Sequence, residues 1–215
     1  MEKPLKGLFL TLEGGEGAGK TTLAARLKEA FEKEGREVLV TFEPGATLLG
    51  KELRELLLGV KKEMSISPYA ELLLFLSDRA EHIHSMIRPA LEQGKVVICD
   101  RYNDSTIAYQ GFARGLDVPH VQELCEIVVG EVRPQITFFL DVDPYLGLER
   151  TRQEGENDRI EREELAFHET LRHGFHWLAQ QERERIFILD ASEPKDHVFE
   201  EAWKVISENE YLRRF

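Results

Sequence analysis

The sequence predicts a doubly wound α/β fold, in which helices cover both faces of a five-stranded parallel sheet. Short, almost continuously apolar runs alternate with longer segments of helical periodicity, and no linker or repeat divides them. The apolar runs are GLFLTLE, EVLVT, KVVIC, ITFFLDV and RIFILDA. Such runs are typical of strands that are buried on both faces of a parallel sheet. We therefore expect a single domain over residues 1–215, with ligands bound beyond the carboxyl ends of the strands.

The helical segments carry clear boundary signals. TTLAARLKEAFEKEG follows the first strand, and HVFEEAWKVISEN is the last helical pattern. In the longest segment, SPYAELLLFLSDRAEHIHSMIRPALEQG, Ser67 suits an N-cap, Pro68 suits the first helical position and Gly94 suits the stop. Pro89 lies inside this segment, so we expect the main helix to kink or end there.

Composition excludes several classes of protein. Hydrophobic residues make up 42% and charged residues 32% of the chain, and no apolar run approaches the ~20 residues that span a bilayer. A net charge of -12 argues against nonspecific nucleic-acid binding, although a single phosphate ligand needs only a few local cations. Cys99 and Cys125 lie in apolar surroundings, and we expect them to be buried without a disulfide or a metal. The amino-terminal segment lacks a cleavage-site pattern, so we expect a cytoplasmic protein without membrane or nucleic-acid partners.

The stretch GGEGAGKTT carries a phosphate-binding motif between the first strand and the first helix. Gly14, Gly19, Lys20 and Thr21 match G-x-x-x-x-G-K-[ST] in the required context. Glycines aim backbone N–H groups at one anion, while lysine supplies charge to the β/γ-phosphates and Thr21 is a candidate ligand of Mg²⁺. A turn without function would not explain why strand, motif and helix coincide. The predicted ATP-binding residues are Gly14, Gly15, Glu16, Gly17, Ala18, Gly19, Lys20, Thr21 and Thr22.

Other motifs narrow the class of nucleotide-binding protein. The D-x-x-G and N-K-x-D strings of GTPase switches are absent, as is an L-S-G-G-Q-like signature of transport ATPases. Phosphoryl transfer to a small acceptor is therefore the leading hypothesis. A protein that binds ATP without transferring its phosphate is the alternative from a different class.

A second group of polar residues follows the strand KVVIC, within DRYNDSTIAYQGFARGL. Asp100 is placed to hold Mg²⁺ or a water bound to it, and Arg101 offers a planar fork suited to a phosphate. Ser105, Tyr109 and Gln110 follow at spacings that place polar groups on one helical face, with Gln110 able to pair with the amide edge of a base. An Asp that caps a helix beside a surface Arg is the alternative interpretation.

These motifs resemble the bacterial branch of the thymidylate kinases. The resemblance rests on GGEGAGKTT, EPGAT, LLLFLSDRAEH, the D-R-Y-x-x-S-x-x-A-Y-Q-G run and DRIE, and it extends to about residue 206. It implies ATP-dependent conversion of dTMP to dTDP with Mg²⁺, on a nucleoside-monophosphate-kinase fold that is usually a homodimer. A kinase for another nucleoside monophosphate or for a deoxynucleoside is the nearest alternative.

The resemblance also implies roles for individual residues. Thymine would stack on Phe75, and Arg79, one helical turn later, would reach the base carbonyl or the acceptor phosphate. Gln110 would pair with thymine, and Tyr109 would crowd the 2′ position of the sugar. A core role for Phe75 stays open, because LLLFL is also typical of a buried helix face. The implied dTMP-binding residues are Glu16, which would meet the 3′-OH, Glu43, Pro44, Phe75, Arg79, Arg101, which would clamp the phosphate, Ser105, Tyr109 and Gln110.

The polar stretch LERTRQEGENDRIE is typical of a lid, here about residues 150–162. Closing lids bring cations to a transferring phosphate, and Arg150, Arg152 and Arg159 are the candidates. The resemblance implies a catalytic arginine from the lid, because Gly17 stands where the eukaryotic enzymes carry theirs. Glu154 replaces a basic residue of some relatives, so the role falls on Arg150 or Arg152. The predicted catalytic residues are Lys20, Arg101, Arg150 and Arg152.

The segment TFEPGAT departs from the T-R-E-P-G-G-T of bacterial relatives at two positions. Phe42 stands in place of an arginine, so one contact to the acceptor phosphate is lost, or the ring packs against the sugar or the helix bearing Phe75. Ala46 stands in place of a glycine, and we expect its Cβ to restrict the turn because it disfavours positive φ.

Overall fold

The centre of the fold is a five-stranded sheet in which every paired strand is parallel, with the order β2-β3-β1-β4-β5. The structure, a computed structural model, describes residues 4–59, 65–152 and 158–209. The strands are β1 (Leu8–Glu13), β2 (Val38–Phe42), β3 (Val96–Asp100), β4 (Ile136–Asp141) and β5 (Ile186–Asp190). Each coincides with one of the apolar runs, so the predicted fold class is confirmed.

Helices cover both faces of this sheet. The helices are α1 (Lys20–Lys33), α2 (Leu48–Leu58), α3 (Pro68–His82), α4 (Arg88–Glu92), α5 (Asn103–Thr106), α6 (Val118–Val129), α7 (Pro144–Arg152), α8 (Leu165–Gln181) and α9 (Lys195–Glu208). Two π-helical segments, Ile83–Ile87 and Ile107–Ala113, join α3 to α4 and extend α5. Helices α1 and α9 pack on one face of the sheet, and α3, α6 and α8 contribute to the core on the other face.

The central strand β1 is the most deeply buried part of the sheet. All of its side chains are buried, and it pairs with β3 on one side and β4 on the other. Leu10 is fully buried and packs in the same core cluster as Leu27 of α1. Burial of one such leucine contributes about 1.5–3 kcal/mol. This strand therefore provides a rigid base for the loop that leaves its carboxyl end.

The register of the strands brings three predicted segments to one edge of the sheet. Leu12 of β1 and Phe42 of β2 both lie opposite Asp100 of β3. Because the strands are parallel, the loops that follow them all leave at this edge. The glycine-rich loop, the EPGAT turn (residues 43–47) and the DRY segment (residues 100–102) therefore meet there.

The long helical segment is interrupted before Pro89 rather than ended by it. Ser67 caps α3 by accepting a hydrogen bond from the Ala70 N–H at 3.4 Å, and Gly94 ends the segment with φ of 80°. The interruption is the π-helical turn Ile83–Ile87, after which α4 continues through Pro89. A wider turn accommodates a proline ring that would clash with the carbonyl four residues earlier in a regular helix.

Both cysteines are buried and neither forms a disulfide, as the sequence predicts. Within the described ranges, none of the helices is long and apolar enough to cross a membrane.

Candidate active site

The glycine-rich loop between β1 and α1 forms a cradle at the carboxyl end of the sheet. Gly14, Gly17 and Gly19 have φ of 140°, 64° and 88°, which a side chain would disfavour, and Gly19 caps α1. Lys20 Nζ donates to the carbonyl oxygens of Gly15 at 2.8 Å and Gly14 at 3.3 Å. Burial and the nearby Arg101 charge lower the pKa of Lys20. The loop lines a cavity of about 1090 Å³.

Two glycines let this loop touch α7. A Cβ atom built on Gly17 would lie 2.1 Å from the carbonyl oxygen of Gly147, and one built on Gly147 would lie 2.3 Å from the carbonyl oxygen of Glu16. Both distances are far shorter than real carbon–oxygen contacts. Position 17 of this chain therefore has no room for a side chain, so an arginine there is excluded by backbone contact.

Thr21, in the first turn of α1, lies beside Asp100 at the end of β3. The Thr21 hydroxyl donates to Asp100 Oδ2 at 3.1 Å, and both side chains line the large cavity. Hydroxyl and carboxylate oxygens are donors that Mg²⁺ prefers. The two residues that the sequence predicts as metal ligands are therefore close enough to share one ion or its water shell.

Arg101 and Glu16 form a partly buried ion pair beside the cradle. Arg101 donates to the Gly14 carbonyl at 2.8 Å and to Glu16 Oε1 at 2.6 Å, and the Tyr109 hydroxyl donates to the same oxygen at 2.8 Å. Burial would raise the pKa of Glu16, but the charges of Arg101 and Lys20 outweigh it and lower that pKa to about 2. Glu16 is thus a carboxylate at neutral pH. Its bond and that of the Gly14 carbonyl hold the Arg101 guanidinium in one orientation. The backbone of Arg101 has a positive φ of 68°.

Glu13 lies beneath this pair and was not predicted as a site residue. Its Oε1 accepts from the Tyr102 N–H at 2.8 Å and its Oε2 accepts from the Ser105 hydroxyl at 2.5 Å. Burial, together with the nearby Asp104 carboxylate, raises the pKa of Glu13 to about 7. A carboxylate at the end of an otherwise apolar strand was the signal in the sequence. Through these two hydrogen bonds, Glu13 anchors the DRY segment to β1.

A second cavity, of about 150 Å³, adjoins the cradle. Every residue that the resemblance implies for dTMP lines it, from Glu16 and Glu43 through Phe75 to Gln110. Tyr109 and Gln110 belong to the π-helical segment Ile107–Ala113, a geometry that is frequent at functional sites and that spacing alone did not indicate. The further lining residues, which were not predicted as ligands, are Arg54, Leu58, Thr106, Asp158, Ile160 and Glu161. Three of these belong to the DRIE motif, which was the available signal.

Arg79 lines this second cavity and is only 2% exposed. Its Nε donates to Glu43 Oε2, and its two terminal nitrogens donate to the Thr106 hydroxyl and the Tyr102 carbonyl, all at 2.9 Å. His82 Nδ1 lies 2.9 Å from the other oxygen of Glu43. Arg79 therefore ties α3 to the EPGAT turn and the DRY segment as well as facing the cavity.

The departure at Phe42 has a structural counterpart on α2. The Phe42 ring is 45% exposed, and the guanidinium carbon of Arg54 lies 5.7 Å from its centroid. Arg54 also donates to the Pro44 carbonyl at 2.7 Å and lines both cavities. The guanidinium of Arg54 on α2 thus brings a positive charge next to Phe42, where bacterial relatives carry an arginine. Ala46 has no positive φ, since Gly45 carries the left-handed turn with φ of 118°, so the expected restriction at Ala46 was wrong.

The structure describes the lid only at its two ends. Arg150 donates to the carbonyl oxygens of Gly17 at 3.2 Å and Ala191 at 3.1 Å, so it lies beside the large cavity. Arg152 is exposed, and no hydrogen bond or ion pair holds it among the described residues. Glu154 lies outside the described residues.

Arg159, at the other end of the lid, is not directed at the cradle. Its Nε donates to the Leu57 carbonyl at 2.7 Å, and its guanidinium forms an ion pair with the buried Glu71 of α3. The guanidinium is thus bonded to α2 and α3. This geometry distinguishes Arg159 from Arg150, which the sequence pattern could not do.

A glycine-rich cradle between a central parallel strand and a helix, with a lysine and a threonine–aspartate pair beside it, defines a P-loop nucleotide-binding protein. The second cavity next to the cradle is the feature that narrows this class. The chain belongs to the thymidylate kinase family, whose model matches residues 12–202.

Relatives cover nearly the whole chain. A thymidylate kinase of Protochlamydia amoebophila is 50% identical over 94% of this chain and 93% of that protein. One from Deinococcus radiodurans is 46% identical over 94% and 98% of the two chains. The crystal structure of a thymidylate kinase from Ehrlichia chaffeensis is similar with a TM-score of 0.75 and 35% identity, over 94% of this chain and 98% of that one.

Proposed function

We propose that this protein transfers the γ-phosphoryl group of ATP to the 5′-phosphate of dTMP, forming dTDP and ADP. The observation that carries the proposal is that the phosphate cradle and the second cavity share part of their lining. Glu16, Arg101 and Glu43 lie on both, as do Arg54 and Glu161. A nucleoside triphosphate in the cradle and a nucleoside monophosphate in the second cavity would therefore meet at their phosphate ends.

On the donor side, the backbone of residues 14–22 and the start of α1 bind the phosphates of ATP. Lys20, now turned onto its own loop carbonyls, would move its ammonium to the β/γ-phosphates when they displace those contacts. Thr21 and Asp100 would hold Mg²⁺, which neutralises charge on the phosphates when bound. The fit of these two oxygen donors supports the metal assignment.

On the acceptor side, Arg101 clamps the phosphate of dTMP. Its guanidinium is already fixed by Gly14 and Glu16, so little side-chain freedom is lost when the phosphate binds. No general base is needed, because the second pKa of a phosphate monoester is ~6 and the attacking oxygen is largely ionised at neutral pH. Catalysis then consists of positioning and electrostatic stabilisation.

The base and the sugar occupy the second cavity. Phe75 stacks on thymine, Gln110 pairs with its amide edge, and Arg79 supplies an N–H group to the same pocket. Tyr109 lies against the 2′ position, and Glu16, held as a carboxylate, accepts from the 3′-OH. Glu43, Pro44 and Ser105 complete the wall.

Arg152 is the lid arginine that best suits the transition state. Its exposed side chain forms no hydrogen bond or ion pair with the described residues, whereas Arg150 donates to the carbonyls of Gly17 and Ala191. A side chain that must reach the transferring phosphate on closure benefits from such freedom. Arg150 is the second candidate.

We also propose that the chain acts as one domain, as a homodimer and in the cytoplasm. Tyr69 and Leu73 lie one turn apart on α3 and are each 53% exposed, and Ile127 is exposed on α6, which packs against α3. These apolar side chains support a second copy as partner. Sedimentation of the wild-type chain and of Leu73→Glu tests this, since a monomeric wild type would contradict it.

A coupled assay for ADP release tests the reaction itself. ATP and Mg²⁺ are supplied with dTMP, dUMP, dCMP or AMP side by side, and the highest kcat/KM is expected with dTMP. A best rate with another monophosphate would assign a different acceptor. Release of no ADP with any acceptor would favour a protein that only binds ATP.

A further inference from the structure

Glu71 is a buried carboxylate on α3 that has no role in the proposed phosphoryl transfer. It is 1% exposed, and its Oε1 accepts from Gln110 Nε2 at 3.0 Å and from Arg114 Nε at 3.1 Å. Its other oxygen pairs with Arg159. Burial would raise the pKa of Glu71, but these three partners outweigh burial and lower it. Glu71 is therefore ionised, and an ionised carboxylate can only accept hydrogen bonds.

This contact determines the orientation of the Gln110 amide. A glutamine amide has an NH₂ end that donates and an oxygen that accepts, and only the NH₂ end can bond to a carboxylate. Gln110 is 1% exposed and lines the second cavity. Within the described part of the chain, no protein donor is bonded to its Oε1. Oε1 of Gln110 is thus available as a hydrogen-bond acceptor for a ligand in the second cavity, and the bond to Glu71 sets its orientation.

We propose that Glu71 is a positioning residue that gives the acceptor site its selectivity for pyrimidines with a ring N–H, thymine and uracil, over cytosine. It does so by keeping Oε1 of Gln110 toward the base. The inference rests on the proposed function, because it concerns which monophosphate the second cavity accepts.

The chemical reason lies at ring nitrogen N3 of the base. Thymine and uracil carry a hydrogen there and can donate to Oε1, whereas the N3 of cytosine is an acceptor and would face Oε1 lone pair to lone pair. Two buried acceptors left without a donor weaken binding, and sites that require a hydrogen bond discriminate strongly for this reason. Without Glu71 the Gln110 amide can rotate and offer its NH₂ group to cytosine.

Two arginines make it possible to bury the Glu71 charge. Arg114 also donates to Glu163 Oε1 at 2.6 Å, and Arg159 is bonded to the Leu57 carbonyl at 2.7 Å. A buried carboxylate without such partners would be protonated or expelled. A protonated Glu71 would bond to either end of the Gln110 amide, so the arginines also preserve the selectivity.

The test compares dTMP and dCMP as acceptors for wild type, Glu71→Gln and Arg114→Gln. In Glu71→Gln the ratio of kcat/KM for dTMP over dCMP should fall ~10-fold or more, chiefly through a higher KM for dTMP. Arg114→Gln is the matched control, because it removes one partner of Glu71 while the ion pair with Arg159 remains and still holds the carboxylate ionised, so the ratio should stay near that of wild type. Equal losses with both acceptors in Glu71→Gln would overturn the proposal, since a purely structural role predicts them.

Gln110→Glu tests the same inference if Glu71→Gln does not fold. The new carboxyl group must share a proton with Glu71, which raises its pKa, and while protonated it donates to Glu71 and turns its carbonyl oxygen to the base. The KM for dTMP, divided by the wild-type value at each pH, should therefore rise with pH. A ratio that is independent of pH would overturn the proposal.

Calorimetric titration separates this inference from the proposed function. Wild-type chain that transfers no phosphate to dTMP would refute the reaction, yet preferential binding of dTMP over dCMP, reduced in Glu71→Gln, would still support the role of Glu71. Wild type that phosphorylates dTMP, with no change of preference in the variants, would refute only the role of Glu71.

Discussion

Arg54 lies over the exposed ring of Phe42, with its guanidinium carbon 5.7 Å from the ring centroid. The two residues come from α2 and the end of β2, and Arg54 is further fixed by its bond to the Pro44 carbonyl. A cation on an aromatic face contributes about 0.5–1 kcal/mol at exposed sites. The ring thus packs against Arg54 of α2, which is a different partner from the acceptor sugar or the helix bearing Phe75 that the sequence suggested.

Replacing Phe42 with arginine should therefore not improve binding of dTMP. In Phe42→Arg the new guanidinium lies beside that of Arg54, and their repulsion displaces Arg54 from both cavities, so we expect a several-fold higher KM for dTMP. Phe42→Tyr keeps the aromatic face and serves as the control with a nearly unchanged KM. A lower KM in Phe42→Arg would instead show that a phosphate contact is missing in this chain.

The two lid arginines should differ in the kinetic constant that they affect. Arg152→Ala should lower kcat by ~10³-fold, the loss typical of an arginine that stabilises transferring phosphate. Arg150→Ala removes the bonds to the carbonyls of Gly17 and Ala191, so we expect mainly a higher KM for ATP. Steady-state kinetics with both substrates distinguish the two effects. Near-normal turnover in both variants would refute a catalytic arginine in the lid.

The contact between Gly17 and Gly147 should be sensitive to a single methyl group. Gly17→Ala adds a carbon 2.1 Å from the Gly147 carbonyl oxygen at a residue with φ of 64°. The left-handed backbone alone costs about 1–2 kcal/mol, and the displaced loop should also bind ATP less tightly. Denaturant unfolding and the KM for ATP measure the two effects.

Gly15→Ala is the matched control within the same loop. A Cβ on Gly15 would meet no heavy atom within 4 Å, and its φ is not positive. We expect a much smaller change of stability in this variant. Equal destabilisation by both substitutions would show that the contact with α7 is not the cause.

The features that could be predicted from the sequence are those that depend on residues close together in the chain. Every strand and the cradle follow from local patterns, and the resemblance supplied a set of residues that the structure brings into one cavity. It did not predict the buried Glu13, the pairing of Arg159 with Glu71, or Arg54 over Phe42. These contacts join residues that are far apart in sequence, or on different elements, so they depend on the packing of helices on the sheet. Charges in the lid pattern could not show which arginine would be held by α3.

Glu13 should make the stability of the fold depend on pH. Its pKa is raised from 4.5 to about 7, so between these values the folded chain holds a proton that the unfolded chain has lost. The free energy of unfolding therefore decreases as pH rises through this range, because the folded state binds more protons. Asp78, whose pKa burial and the Glu43 charge raise to about 6, acts in the same direction, whereas His168, whose pKa is lowered chiefly by burial, acts in the opposite one.

Comparison of Glu13→Gln with wild type isolates the contribution of this one group. The amide oxygen can still accept from the Tyr102 N–H and its NH₂ can donate to the Ser105 hydroxyl, so the variant resembles the protonated state at every pH. The difference in unfolding free energy, variant minus wild type, should grow by on the order of 1–3 kcal/mol between pH 5 and about 8. Urea unfolding at several pH values measures it. A difference that stays constant would mean that Glu13 is ionised in the folded protein throughout, and that its hydrogen bonds from Tyr102 and Ser105 outweigh its burial.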